Sequence, residues 1–181
     1  GAYDESDPRF IYNVITTDIK GKPNKKTHKF KTTKFRHLVD FLGRNKTGMN
    51  APILRYADIL LMLAEAENEL NGPAEAYQYI NEVRARARRG SVLNEISLST
   101  EPADISGLTQ EEFREFVFWE RTRELCWEGV DRIDLVRSGN FVDLINDATY
   151  VGKESSVTEV TEEHIFFPLP LVVYLNNDKI N

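Results

Sequence analysis

The stretch ERTRELCWEGVDRIDLVRSG, Glu120 to Gly139, decides the fold of this chain. The residues before it predict an α-helix whose apolar stripe passes through Phe113 and Val117. Continued by steps of three and four residues, that stripe reaches three carboxylates instead of apolar side chains. They are Glu120, Glu124 and Glu128. The sequence therefore places negative charges on the side of this helix that faces the core.

Buried carboxylates need partners, because an unpaired charge inside a protein costs several kcal/mol or is neutralised. Arginine suits this role, since its planar guanidinium can bind a carboxylate through two parallel hydrogen bonds. The candidate partners are Arg55, Arg84, Arg121, Arg123, Arg132 and Arg137. We predict that the carboxylates form structural ion pairs that join the helices from inside.

Two catalytic interpretations compete with this one. Glutamates four residues apart on a helix also build di-metal sites, but those sites need a Glu-x-x-His pair. Here Arg123 follows Glu120 by three residues and Trp127 follows Glu124. A glycoside hydrolase would use two carboxylates that face a cleft, and an apolar helix leaves no cleft for a sugar. We therefore expect neither a metal site nor hydrolase activity.

Other catalytic motifs are absent from the sequence. The three histidines, His28, His37 and His164, lie far apart, and no serine or cysteine stands in a nucleophile motif. The sequence contains no glycine-rich phosphate loop and no cluster of Cys and His at metal-binding spacing. We predict that the chain is not an enzyme and takes no cofactor.

Residues 52 to 90 predict a pair of helices. The first would run from Pro52 to Asn71, and the second from Pro73 to the C-terminal signal at Gly90. The predicted core face of the first is Ile53, Tyr56, Leu60 and Leu63, broadened by Ile59, Ala66 and Leu70. That of the second is Ala76, Ile80, Val83 and Ala87. The short link makes the helices neighbours, in the manner of one tetratricopeptide-type hairpin.

The third and fourth helices follow a polar loop from Ser91 to Leu108. Thr109 and Glu112 form a capping box that starts the third helix. We expect this helix to extend to about Trp127 and the fourth to cover Val130 to Ser138. Trp119 and Trp127 are expected in the core.

We predict that the first fifty residues form a turn-rich segment and that residues 51–181 form a helical region. Phe10 to Thr17 and Thr27 to Phe35 are predicted to be short strands of a β-hairpin. Seven lysines lie between Lys20 and Lys34. They match no nucleic-acid motif, and we interpret them as a solvated surface.

Composition limits the class of protein. The chain has 181 residues, 41% of them hydrophobic, and a net charge of -6. It can bury one substantial core, and its acidity gives no general attraction to nucleic acid or to an anionic membrane. Cys126 is the single cysteine, so no disulfide forms within the chain. The chain starts at Gly1 without an initiator methionine, and we expect it to be part of a longer protein.

These segments resemble the SusD/RagB family. The run LRYADILLMLAEA, residues 54–66, resembles one helix of the family's hairpin, and the Glu120 to Gly139 stretch resembles its E-R-x-x-E-L-x-x-E-G-x-R-x-x-D-L-x-R-x-G pattern, with Asp131 as one extra residue. Asp7-Pro8-Arg9 and Phe167-Pro168-Leu169-Pro170 resemble further family elements. The signature residues are Arg55, Tyr56, Glu65, Arg84, Glu120, Arg121, Glu124, Glu128, Arg132, Asp134 and Arg137.

The resemblance covers the C-terminal portion of the family and implies a mainly α fold with tetratricopeptide-like helix pairs, an N-terminal short β-hairpin and long irregular loops. It implies a lipoprotein on the surface of a Bacteroidetes-type outer membrane, with its lipid anchor outside this chain. Such a protein binds a glycan or peptide and delivers it to a SusC-like TonB-dependent transporter without chemistry of its own. Tyr12 and Tyr150 are the candidates for stacking on a sugar. A tetratricopeptide-like scaffold for protein partners is the alternative, ahead of a glycoside hydrolase.

Overall fold

The computed structural model describes residues 6–13, 52–89, 91–92, 95–96, 99–147, 159–168 and 170. The described part is mainly helical. Its elements are α1 (Pro8–Asn13), α2 (Tyr56–Asn71), α3 (Pro73–Arg88), β1 (Ser91–Val92), β2 (Glu95–Ile96), α4 (Gln110–Glu124), α5 (Asp131–Arg137), α6 (Phe141–Asn146) and a 3-10 helix (Glu162–Ile165). The chain divides into two compact units, Gly1–Asp131 and Arg132–Asn181.

The core of the first unit lies where α2, α3 and α4 meet. Gly72 alone separates α2 from α3, and its φ of 86° is a left-handed conformation that suits glycine. Its N–H donates to the carbonyl of Asn68 at 3.0 Å, and this is the hydrogen bond at the C-terminal cap of α2. The buried apolar residues of this core are Leu60, Leu61, Ala64, Ala76, Ile80, Val83, Phe113 and Val117.

The prediction for the start of α2 was wrong. The helix begins at Tyr56, and Ile53 lies outside it with 97% of its surface exposed. Arg55 is the residue before the helix and has an extended backbone, with φ at -139°. Its guanidinium is held by carboxylates of the Glu120 to Gly139 stretch. This anchoring keeps Arg55 extended, so the helix starts after it.

The predicted core face of α2 also needs correction. Leu60 is buried as expected, but Tyr56, Leu63 and Leu70 are exposed. The buried side passes through Asp58 and Leu61 instead. Asp58 binds a buried arginine of α4, and this ion pair turns the acidic residue inward, so the helix presents a different face to the core.

The predicted first strand, Phe10 to Thr17, was wrong where the structure describes it, because Pro8–Asn13 is helical. Pro8 suits the first turn of a helix. Asp7 supports that turn: its side chain accepts from the N–H of Arg9 at 2.9 Å, and its carbonyl accepts from the N–H of Phe10. Residues 14–51 lie outside the described residues, and with them the rest of the predicted hairpin.

Helix α4 begins as predicted and ends early. The capping box between Thr109 and Glu112 is confirmed, with both reciprocal hydrogen bonds present. The helix ends at Glu124, and Trp127 has a φ of 69°. Trp127 is 46% exposed, so its predicted core position was wrong. Its indole Nε1 donates to the carbonyl of Asn13 at 2.8 Å, and this hydrogen bond keeps the ring at the surface beside α1.

The loop between α3 and α4 contains a minimal β-ribbon. Strands β1 and β2 are antiparallel, with Ser91 opposite Ile96 and Val92 opposite Glu95. After the ribbon, Asn81 of α3 binds the backbone of Ile105 through both its amide nitrogen and its amide oxygen. The loop is therefore tied back to α3 before α4 starts.

Candidate functional site

Glu120 is the centre of a charge cluster inside the first unit. Its side chain has no exposed surface. Arg9 Nη1 donates to its Oε1 at 2.7 Å, and Arg84 Nη1 donates to its Oε2 at 2.8 Å. Arg123 Nη1, one turn along the same helix, lies 3.3 Å from Oε2. Arginines from three helices thus converge on one carboxylate.

Glu124 lies one turn further along α4 and is bound in the same way. Arg55 Nη1 donates to its Oε1 at 2.8 Å, and Arg9 Nη1 lies 3.2 Å from its Oε2. Arg86 of α3 also pairs with Oε1. Arg55 makes two further hydrogen bonds. Its Nη2 donates to the backbone carbonyl of Glu124 at 2.6 Å, and its Nε donates to Glu128 Oε2 at 2.7 Å.

Arg9 joins α1 to this cluster. One edge of its guanidinium binds the carboxylate of Asp7, with Nη2 at 2.7 Å from Oδ2 and Nε at 3.0 Å from Oδ1. Its Nη1 is directed at Glu120 and Glu124. Burial acts to lower the pKa of Arg9, but the hydrogen bond to Asp7 and the charge of Glu120 outweigh it and raise this pKa. Arg9 is therefore a permanently charged crosslink.

The other arginines of the cluster have different surroundings. Burial is the main reason that the pKa of Arg84 is lowered, and the positive charges of Arg9 and Arg123 add to this effect. At Arg55 the bonds to Glu128 and Glu124 outweigh burial and raise the pKa. Positive charge is thus more fully compensated on the Arg55 side of α4 than at Arg84.

Three signature residues of the first unit lie outside the set of ion pairs at Glu120 and Glu124. Arg121 Nη1 donates to Asp58 Oδ1 at 2.8 Å and links α4 to α2. Glu65 is half-buried on α2. Tyr56 is exposed, and the nearby charge of Glu82 is the main cause of a raised pKa at its hydroxyl.

In the second unit, Arg132 is held between two aromatic rings. Its guanidinium lies 4.6 Å from the ring centres of both Phe141 and Phe167. Its Nη2 donates to the carbonyls of His164 at 2.8 Å and Ile165 at 3.0 Å. Arg132 therefore fixes the segment that contains the Phe-Pro element. Its position on α5 follows the pattern read from the sequence, and its contacts within this unit are with rings and backbone carbonyls.

Asp134 and Arg137 form a second contact within this unit. Asp134 is buried, and Arg137 Nε donates to its Oδ1 at 2.8 Å. The sequence predicts Arg137 as a candidate partner for the α4 glutamates. The structure places it one turn from Asp134, within α5.

A cleft of about 200 Å³ opens beside the charge cluster of the first unit. The guanidinium groups of Arg84 and Arg123 lie over the ring of Phe116, at 5.1 and 5.7 Å from its centre. Both arginines also bind Glu120. The residues that line the cleft are Ser6, Asp7, Arg84, Glu101, Pro102, Phe116 and Arg123.

The geometry removes the basis of the hydrolase interpretation. Both carboxylate oxygens of Glu120 and of Glu124 accept from arginine, and both side chains are buried. A general acid or nucleophile in a glycosidase must reach a sugar, and these groups face protein. Among the residues that the structure describes, no group of three or more His, Cys, Asp or Glu side chains is arranged to hold a metal ion.

Sequence reasoning missed two of the arginines that bind the cluster, Arg9 and Arg86. Arg9 stands in the Asp7-Pro8-Arg9 turn, whose sequence resembles a family element. The acidic residue two positions before it was the available signal. Of the proposed sugar-stacking residues, Tyr12 lies in α1 without a described side chain, and Tyr150 lies outside the described residues.

The family model described as the SusD family matches residues 3–171. The chain belongs to the SusD family. Two curated relatives come from Formosa agariphila. SusD-like protein P25 is 42% identical to this chain, over 74% of this chain and 23% of the relative's own length. SusD-like protein P38 is 31% identical, over 72% of this chain and 24% of the relative's own length.

Comparison with solved structures also finds a SusD homolog. The crystal structure of a SusD homolog from Bacteroides thetaiotaomicron matches with a TM-score of 0.61 and 27% identity, over 92% of this chain and 38% of that one. The matches to SusD-like proteins P25 and P38 show that the chain spans about a quarter of the length of these two curated relatives. Within the described residues, no helix combines the length and hydrophobicity needed to cross a bilayer.

Proposed function

We propose that this chain is part of a cell-surface protein that binds a glycan or another nutrient without catalysis and delivers it to a SusC-like TonB-dependent transporter. The observation that carries the proposal is the SusD family match over residues 3–171. Surface exposure at the outer membrane, through a lipid anchor outside this chain, is part of the same proposal.

The charge cluster supports a binding protein over an enzyme. Its two central glutamates are bound by arginines and sit between helices, where they hold the fold together. A scaffold of this kind positions loops for recognition and needs no reactive group of its own. Tyr12 and Tyr150 remain the candidates for contact with a sugar.

Ligand binding is tested with the full-length protein on an array of oligosaccharides and peptides. We expect retention of one glycan or peptide class, with affinity confirmed by calorimetry and no change in the ligand recovered afterwards. Failure to bind any ligand would count against nutrient binding. Recovery of shortened glycan would contradict the non-catalytic assignment.

Delivery to a transporter is tested separately. The tagged full-length protein, isolated from outer membranes in mild detergent, should bring a TonB-dependent transporter with it. A parallel sample with an unrelated surface lipoprotein is the control. Recovery of other soluble proteins in place of the transporter would favour the alternative, a tetratricopeptide-like scaffold for protein partners, which the α2 and α3 helices also suit.

A further inference from the structure

The buried guanidinium of Arg84 lines the cleft of the first unit, which we call the Arg84–Arg123 cleft. Its Nε donates to the carbonyl of Ala103 at 2.7 Å, and its Nη1 donates to Glu120 Oε2 at 2.8 Å. Neither of these hydrogen bonds, which are the ones it makes among the described residues, uses Nη2. The two N–H groups of Nη2 are therefore the donors of Arg84 that a ligand in the cleft can use.

The positive charge of Arg84 is incompletely compensated. Its carboxylate partner, Glu120 Oε2, lies 3.3 Å from Arg123 Nη1 as well, and Arg9 binds the other oxygen of Glu120. Burial is the main cause of the lowered pKa of Arg84, and the charges of Arg9 and Arg123 lower this pKa further against the opposing effect of Glu120. An anion beside Arg84 would favour its charged form.

The ring of Phe116 orders the two arginines of the cleft. Both guanidinium groups lie over this ring, that of Arg84 at 5.1 Å from the ring centre and that of Arg123 at 5.7 Å. An aromatic ring attracts a guanidinium and leaves its N–H groups available for hydrogen bonds. Donors that are ordered before a ligand arrives cost less entropy when it binds.

Two carboxylates also line the cleft, and they differ in their effect on an anion. Both oxygens of Asp7 accept from Arg9, so its charge is compensated within the fold. Glu101 Oε2 accepts from the N–H of Ala103 at 2.9 Å. Glu101 is therefore the side chain whose charge opposes an anion in the cleft.

We propose that the Arg84–Arg123 cleft binds one oxyanion group, a carboxylate, sulfate or phosphate, between the guanidinium groups of Arg84 and Arg123. Planar guanidinium donors suit the paired oxygens of such groups. The cleft of about 200 Å³ is smaller than the pockets of about 300–1,000 Å³ that hold drug-sized ligands. It therefore takes a small anion or one anionic group of a larger molecule. This site is separate from nutrient binding and does not depend on it.

Calorimetry of the natural full-length protein tests the proposal. Sodium sulfate and sodium acetate are titrated separately, at an ionic strength held constant with sodium chloride. We expect saturable binding of at least one of them. Arg123→Gln should weaken this binding about tenfold or more, because hydrogen bonds to a charged group are lost. Arg114→Gln, at an exposed arginine of the same helix, is the matched control and should leave the affinity unchanged.

Glu101→Gln provides a test in the opposite direction. The amide oxygen can still accept from Ala103, but the negative charge is removed, so the oxyanion should bind about threefold or more tightly. Should the Arg123→Gln protein fail to fold, this gain decides the matter.

The two anions also distinguish the source of the ligand group. Tighter binding of acetate supports a carboxylate ligand, and tighter binding of sulfate supports a sulfate or phosphate group. The absence of saturable binding of either anion overturns the proposal. So does binding whose affinity Arg123→Gln and Glu101→Gln leave unchanged, because that result shows an adventitious ion only.

Discussion

Arg9 Nη1 donates to Glu120 Oε1 across 2.7 Å, although the two residues are 111 positions apart in the chain. The same nitrogen lies 3.2 Å from Glu124 Oε2, while the other edge of the guanidinium binds Asp7. One side chain thus connects α1 to two successive turns of α4. Because all the groups involved are buried, removing any one of them leaves its partners with less compensation for their charge.

Replacing Glu124 by alanine should destabilise the protein by about 3 kcal/mol or more, because Arg9, Arg55 and Arg86 would lose a shared carboxylate. The free energy of unfolding is measured by chemical denaturation. Glu115→Ala, at an exposed position of the same helix, is the matched control and should give no measurable change. Equal stability of the two variants would show that the buried pairs contribute nothing.

Arg9→Lys should cost about 1–3 kcal/mol even though the charge is kept. A lysine ammonium cannot bind Asp7 along one edge and two glutamates from another nitrogen. The control is Arg114→Lys, at an exposed pair with Glu69 on the protein surface, where we expect no measurable loss. Hydrogen exchange at Pro8–Asn13 would locate the effect. Unchanged exchange there would contradict the role of Arg9 as a crosslink.

The capping box should make stability depend on pH. Hydrogen bonds from the backbone and side chain of Thr109 lower the pKa of Glu112. A carboxylate with a lowered folded-state pKa contributes fully above its unfolded pKa, and loses the contribution as pH falls through the folded value. The stability difference between the parent protein and Glu112→Ala should therefore be present at neutral pH and vanish in acid. A difference that persists in acid would exclude this linkage.

Gly129→Ala should lower stability by about 1 kcal/mol, because Gly129 has a φ of 83° that side chains with a Cβ rarely adopt. Space is not the reason, since an added Cβ would meet nothing within 4 Å. Gly129→Asn, which tolerates this conformation better, should lose less. Thermal unfolding of both variants checks the order, and a larger loss for asparagine would point to a packing effect.

The sequence was most informative where a signal was local. Thr109 and Glu112 are three residues apart, so their capping box could be predicted. The burial of Glu120 and Glu124 also followed from local spacing, because both continue the apolar stripe of α4. Helices α2 and α3 were found by their periodicity and by the Gly72-Pro73 boundary between them.

Predictions failed where distant contacts control local structure. The Ile and Tyr content after Arg9 suggested a strand, but the residues up to Asn13 form a helix docked on α4. Trp127 was placed in the core from its neighbours, whereas its bond to Asn13 holds it at the surface. The orientation of α2 depended on Arg121, which lies 63 residues after Asp58.

The separation between Arg9 and Glu120 also bears on how the chain folds as it is synthesised. Asp7 and Arg9 leave the ribosome long before α4 exists, so Arg9 has neither Glu120 nor Glu124 to bind at that stage. The α2 and α3 helices are adjacent in the chain and can pair as soon as both have emerged. Because non-local contacts form more slowly than local ones, we expect α1 to be the last described helix of the first unit to acquire its native contacts, and a ribosome-bound chain halted before Glu120 to leave α1 open to proteases.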